Sequence, residues 1–229
     1  LQPHDYWQDI LPASAAFDPP FQDLYPARLA DGRALILPIR PLKGTNNAIA
    51  SLILNQASFL VESTLADDLC EQLQRFQPDL IVGMPTLGLS LARAVAERLG
   101  HSRYIALGAS KKFWYDEALS VPLNSITSPG GGKRLYLDPR MLPLLKSTRV
   151  CLIDDVISSG ASICAGLDLL KLVDVVPSVL GAAMLQTHRW TKRVSENQNG
   201  AELCAVGAFK TPLLTKTQGG WVVEAAPKD

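Results

Sequence analysis

Along the chain the apolar positions change their period more than once. Residues 1–26 carry prolines and aromatics (Tyr6, Trp7, Phe17, Phe21 and Tyr25) without a sustained repeat, and read as an extended arm that packs on something else. In R-L-A-D-G-R-A-L-I-L-P-I-R, the pair Asp31-Gly32 stands between two apolar runs, the pattern of a hairpin turn. From Ala48 to Phe76 apolar residues return at helical spacing, through Ile49, Leu52 and Ile53 and then Leu60, Leu65, Leu69 and Leu73. That spacing predicts one or two helices.

After Pro78, short continuous apolar runs alternate with helical segments. D-L-I-V-G-M-P (79–85) reads as a buried strand, and 86–100 as a loop entering a helix that Gly100 closes. Y-I-A-L-G (104–108), R-V-C-L-I-D-D (149–155) and P-S-V-L-G-A-A-M-L (177–185) are further strands, the second followed by a helix over 160–173. K-R-L-Y-L-D-P (133–139) alternates like a strand, whereas 109–132 mixes charges, aromatics and a glycine run with little period. The tail from Cys204 to Val223 adds β-like pieces. Short strands alternating with helices predict an α/β fold: an open, mostly parallel sheet with helices on both faces.

Composition narrows the partners. At 229 residues the chain can bury a substantial core. Its 22 basic and 22 acidic residues balance, so no overall field draws nucleic acid or an anionic membrane, and any bound anion must be held locally. No run approaches the roughly 20 apolar residues that span a bilayer. Cys70, Cys151, Cys164 and Cys204 form no C-x-x-C pair and have no histidine at metal-ligand spacing. Reduced thiols and no secretory leader pattern predict a cytoplasmic setting.

The candidate chemistry lies at two strand–loop–helix junctions, because open parallel sheets bind ligands beyond the carboxyl ends of their strands. In V-C-L-I-D-D-V-I-S-S-G-A-S (150–162) an apolar run meets two adjacent carboxylates, Asp154 and Asp155, and then a loop of small residues. Ser158, Ser159, Gly160, Ala161 and Ser162 would present backbone N–H groups at a helix N-terminus, with serine hydroxyls as added donors. An ordinary N-cap would use the same residue types. It would not need two carboxylates that repel each other, whereas a ligand with a phosphate at one end and hydroxyls at the other would use both halves. The second junction is V-G-M-P-T-L-G (82–88), where Thr86, Leu87 and Gly88 can offer backbone N–H groups or form a plain turn.

L-I-D-D-V-I-S-S-G-A-S resembles the phosphoribosyl diphosphate (PRPP) motif of the type I phosphoribosyltransferases, and adenine phosphoribosyltransferases in particular. The resemblance covers about 79–185. It implies that Asp154 and Asp155 hold the ribose 2′- and 3′-hydroxyls and a Mg²⁺ ion, directly or through water, and that residues 158–162 hold the 5′-phosphate. It places a diphosphate loop at 86–88, although adenine-type members carry arginine near Leu87. It also implies a long closing loop over 109–134, with Lys111 and Lys112 as cations for the leaving diphosphate. Phe113, Trp114 and Tyr115 would pack on the core or stack on a base. One domain is implied, with a core over about 49–190 and a hood from 1–48 and 191–229. Hood candidates are Ile39-Arg40-Pro41 and Thr187-His188-Arg189-Trp190.

The activity so implied is transfer of ribose 5-phosphate from PRPP to a nitrogenous base, purine-type, with release of diphosphate. A homodimer follows from the same resemblance. The rival is a PRPP-binding regulatory protein without transfer chemistry, which the missing arginine and the poor hood match favour and the intact D-D pair opposes.

Overall fold

Runs such as L-I-V-G and V-C-L-I carry no polar face, so they must lie in the middle of a sheet covered on both sides. The computed structural model, which describes residues 1–123 and 133–224, places them there. In chain order the elements are β1 (Ile10–Leu11), β2 (Leu24–Arg28), β3 (Ala34–Pro41), β4 (Asn47–Ala50), α1 (Phe59–Leu73), β5 (Leu80–Gly83), α2 (Gly88–Arg98), β6 (Ile105–Ala106), β7 (Ser120–Pro122), β8 (Arg134–Tyr136), α3 (Leu142–Leu145), β9 (Val150–Ile157), α4 (Ala161–Lys171), β10 (Val179–Gln186), α5 (Arg189–Asn197), β11 (Ala205–Thr211), β12 (Leu213–Thr217) and β13 (Gly220–Val223).

Five strands form a parallel sheet in the order β6-β5-β9-β10-β11. The chain steps outward from β5 to β6, then returns to the other side of β5 with β9. The strand order therefore reverses between β5 and β9, the position at which open sheets of this kind form a crevice beyond the carboxyl ends of their strands. Side chains alternate between faces along each strand. Ile81, Cys151 and Ile153 join α1 and α2 in one core, while Leu80, Val82, Val150 and Leu152 join α4 and Val194 of α5 in the other.

A second, antiparallel sheet, β1-β3-β4-β12-β13 with β2 also on β3, gathers the N-terminal arm and the C-terminal tail. Asp31-Gly32 makes the expected turn between β2 and β3, with Gly32 at φ +86°. The arm packs as expected: Trp7 is buried and its Nε1–H donates to Ser51 O at 3.0 Å. The segment 133–139 contributes β8, which pairs with β7 in a separate two-stranded ribbon.

Two local expectations change. Residues 47–50 are a strand, not the start of a helix. In N-A-I-A the buried Ala48 and Ala50 alternate with half-buried neighbours, a period of two, and the segment pairs with both β3 and β12. The helix begins only after Ser58, whose hydroxyl accepts from the Val61 N–H at 3.2 Å. Strand β9 also runs two residues past the D-D pair, to Ile157. The carboxylates therefore sit inside the strand rather than at its end.

At the opposite, amino end of the crevice strands an ion pair pins β5 to β9. Arg149 Nη2 lies 2.8 Å from Asp79 Oδ1, and the Arg149 N–H donates to Asp79 Oδ2 at 2.9 Å. The guanidinium and then the backbone N–H of Arg149 hold the Asp79 carboxyl down to about 2. An acid held below its unfolded value favours the folded state above the ordinary carboxyl range, and that contribution is lost as pH falls through the folded value. Asp79→Asn is expected to lower the thermal midpoint at pH 7, with the difference from the parent shrinking steadily as the melts are repeated toward pH 2.

Candidate active site

Strand β5 ends beside Ile153, part-way along β9, with the Met84 N–H donating to Ile153 O at 2.8 Å. Beyond them α2 starts immediately at Gly88, pressed against the acid-bearing strand. A Cβ on Gly88 would lie 2.8 Å from Asp154 Cα and 3.0 Å from its Oδ1, closer than any larger residue tolerates. Glycine here lets the first turn of α2, with its unpartnered N–H groups, approach the carboxylates. The Pro85–Thr86 peptide is cis. Thr86 is exposed, Leu87 half-buried and Gly88 buried.

Asp154 and Asp155 are 6% and 9% exposed, and acids are seldom buried so far unless paired; among the described residues neither takes part in an ion pair. The Asp155 N–H donates to Asp154 Oδ1 at 2.9 Å. Burial pushes the Asp154 carboxyl well above its ordinary value, and the neighbouring Asp155 charge adds to the shift; burial also raises Asp155. Desolvation penalises the ionised form of both acids, so hydroxyl donors or a cation arriving at this point would relieve a cost already present.

The loop after β9 is shaped by Gly160, at φ +79°, whose absent side chain is replaced by Trp190: a Cβ would lie 3.3 Å from Trp190 Cβ. The strand-to-helix turn therefore closes only with glycine. Ser159 Oγ accepts from the Ala161 N–H at 3.4 Å. The first helical N–H to reach a carbonyl of its own helix is that of Cys164, donating to Gly160 O at 3.0 Å. Those of Ser162 and Ile163 precede it in the first turn, where no carbonyl four residues back is in place, and an anion would find them free. The Ser158 hydroxyl donates to Gln186 Oε1 at 2.5 Å, and Gln186 Nε2 donates to Ala50 O at 2.6 Å.

Residues 86–88 follow β5 and reach Asp154 through Gly88, and 158–162 follow β9, so the three groups lie toward the carboxyl ends of neighbouring strands. The two lysines make their contacts elsewhere. Lys111 is ion-paired with Glu117, and Lys112 Nζ lies 3.5 Å from Ser110 Oγ, so both contacts stay within their own loop. Phe113 is 95% exposed. Trp114 packs under Arg140 and donates to Asp138 Oδ2 at 3.3 Å, and Tyr115 packs on Tyr136. Residues 124–132 of the expected closing loop lie outside the described residues. Arg40, His188 and Arg189 are exposed, and Trp190 backs the loop after β9 with its Nε1–H donating to Thr187 O at 3.2 Å. The sequence reading missed two supporting side chains, Gln186 and the buttressing role of Trp190. The available signal was Gln186 itself, one polar residue closing an otherwise apolar run.

Among the described residues no cluster of three or more His, Cys, Asp or Glu side chains could hold a metal ion. The donor set is two neighbouring carboxylates. It suits a hard cation that keeps waters and takes its remaining oxygens from a ligand, the habit of Mg²⁺.

A family model described as a phosphoribosyl transferase domain matches residues 51–198. No curated protein matches. Among solved structures, the adenine phosphoribosyltransferase of Giardia lamblia in complex with 9-deazaadenine aligns with a TM-score of 0.54 and 14% identity, over 71% of this chain and 93% of that one. The Saccharomyces cerevisiae adenine phosphoribosyltransferase aligns at 0.51 and 13%, over 82% and 94%. The Trypanosoma brucei enzyme in complex with AMP, pyrophosphate and ribose-5-phosphate aligns at 0.51 and 17%, over 66% and 64%. At these identities the likeness is one of fold.

Two substitutions in the crevice are expected to move stability in opposite directions. Gly88→Ala forces a methyl onto the backbone of Asp154 and should destabilise by about 1–3 kcal/mol in chemical denaturation, the usual cost of overpacking. Asp154→Asn keeps the acceptor for the Asp155 N–H and removes a buried charge. A carboxyl raised above its unfolded value lowers stability progressively as pH rises from the ordinary carboxyl range. The ligand-free Asn variant should therefore melt above the parent at pH 7, and the gap should close as pH falls toward about 4.

Proposed function

Because the chain belongs to the phosphoribosyl transferase family, we propose that it moves the ribose 5-phosphate of PRPP onto a ring nitrogen of a purine-type base, releasing diphosphate. The observation that carries this reading is the buried Asp154–Asp155 pair beside a glycine-shaped helix N-terminus, at the point where the strand order reverses. The adenine enzymes of the same fold make adenine the first acceptor to try.

In this reading the N–H groups at the start of α4 hold the 5′-phosphate, and Asp154 and Asp155 accept from the ribose hydroxyls. Departure of diphosphate leaves positive charge on the ribose, which two nearby carboxylates favour. The N–H groups of Thr86, Leu87 and Gly88 lie toward the leaving diphosphate, an electrostatic arrangement set before the reaction begins. Mg²⁺, bound through ligand oxygens and the two aspartates, directly or through water, would neutralise part of the diphosphate charge. Lys111 and Lys112 serve the leaving group only if their loop rearranges, since Lys111 must first leave Glu117. Closure of that loop would also keep water from the reacting carbon. Contacts to the base fall to the hood, with Arg40, His188 and Arg189 as its exposed polar candidates. A cytoplasmic homodimer completes the reading. Three of the four cysteines are buried free thiols, and among the described residues no helix is long and apolar enough to cross a membrane.

Diphosphate release from PRPP and Mg²⁺, assayed across purine and pyrimidine bases and other nitrogen nucleophiles, tests the proposal. Release with at least one purine is expected, with a drop of at least about a hundredfold in Asp154→Asn/Asp155→Asn, as for loss of groups that bind both substrate and transition state. PRPP binding without release for any acceptor would instead assign the chain the regulatory role. Activity that survives the double substitution would contradict the placement of the site.

A further inference from the structure

We propose that Gln186 is a positioning residue that ties the phosphate loop to the hood sheet and withdraws the Ser158 hydroxyl from the ligand; the inference rests on the functional reading above. Gln186 closes β10 and is 3% exposed. Its side-chain amide bridges Ser158 and Ala50, the last residue of hood strand β4. The direction of both hydrogen bonds is fixed by chemistry. A backbone carbonyl only accepts, so the NH₂ of Gln186 must face Ala50 O at 2.6 Å. The amide oxygen must then face Ser158, and because that oxygen also only accepts, the Ser158 hydroxyl must donate its single proton at 2.5 Å.

Two consequences follow. Ser158 Oγ turns only lone pairs toward the crevice, so it cannot donate to a phosphate oxygen while this chain of bonds holds. The anion is left to the backbone N–H groups at the start of α4 and to the hydroxyls of Ser159 and Ser162. The loop's first residue is also anchored, through one buried side chain, to a strand of the antiparallel sheet. Sequentially, Ala50 and Ser158 lie far apart, and Gln186 is the link that holds one to the other. A buried amide with both ends satisfied is costly to disturb, since removing either partner leaves the other unpaired. The state of the hood strand is thereby coupled to the geometry of the 5′-phosphate site.

Calorimetric binding of ribose 5-phosphate and of inorganic diphosphate, each with Mg²⁺, separates the two halves of the crevice. Gln186→Met, similar in volume but without the amide, should weaken ribose 5-phosphate about tenfold, the loss of roughly 1.4 kcal/mol of anchoring, while diphosphate stays within about twofold. Ser158→Ala should give the same selective loss, and Ser158→Thr, which keeps the donor, should restore most of it. The double variant Ser158→Ala/Gln186→Met should bind no more weakly than either single one, because both break one chain of bonds. Unchanged or tighter ribose 5-phosphate binding in folded Gln186→Met would overturn the inference, since it would mean the ligand itself takes the Ser158 proton. Equal loss for both probes, or multiplying losses in the double variant, would also overturn it. Should Gln186→Met fail to fold, unchanged affinity in Ser158→Ala is the contradicting result. A wild-type chain that binds neither ribose 5-phosphate nor PRPP would instead remove the functional reading on which the inference stands.

Discussion

Two adjacent carboxylates held out of water between β5, β10 and the first turn of α2 are the constraint around which this molecule is arranged. Asp154 pairs in register with Ala182 on one side, and Gly88 approaches its backbone from another, so neither solvent nor a salt-bridging side chain reaches it easily. A stability-driven sequence would place valine or leucine there, as it does at Leu152 and Ile153. Keeping charge at that point lowers the stability of the ligand-free fold, and such a cost is borne where binding or chemistry returns it.

The surrounding glycines serve that arrangement rather than chain flexibility. Gly88 admits α2 to within van der Waals limits of Asp154, and Gly160 turns β9 into α4 against Trp190. Both helices start with their N-termini toward the crevice, so two sets of unpaired N–H groups flank two buried acids. Positive partial charge at the helix ends and carboxylates between them would suit the proposed ligand, with phosphate groups at its extremities and hydroxyls between. The antiparallel hood is built from segments at opposite ends of the chain, joined where β12 pairs with β4. Gln186 joins that hood to the loop after β9 by a single buried amide.

Much of this was legible in the order of residues. The apolar runs at 79–85, 149–155 and 177–185 have no polar face, and a parallel sheet is the architecture that hides both sides. The D-D pair and the S-S-G-A-S turn two residues beyond it stand out as a candidate site, because two like charges in an apolar run call for a compensating ligand. Strand β4 is not legible locally: Ile49, Leu52 and Ile53 satisfy a helical spacing, while the partners that make N-A-I-A a strand come from residues 39–41 and 213–215. No local pattern contains those partners. The end of β9 was placed early for a related reason: aspartate disfavours strands, and only the pairing with β10 extends it to Ile157. Gln186 and Trp190 escaped notice because their roles depend on residues far away in sequence. Lys111 and Lys112 follow from the family resemblance and their place at the start of the loop, and the ion pair with Glu117 cannot be read from spacing.

The most direct measurement is a crystal structure of the chain with Mg²⁺ and ribose 5-phosphate. The phosphate is expected on the backbone N–H groups at the start of α4 and the ribose hydroxyls on Asp154 and Asp155, with Ser158 still bonded to Gln186. Ribose 5-phosphate seated away from the end of β9, or bound with its phosphate on the aspartate side, would contradict it.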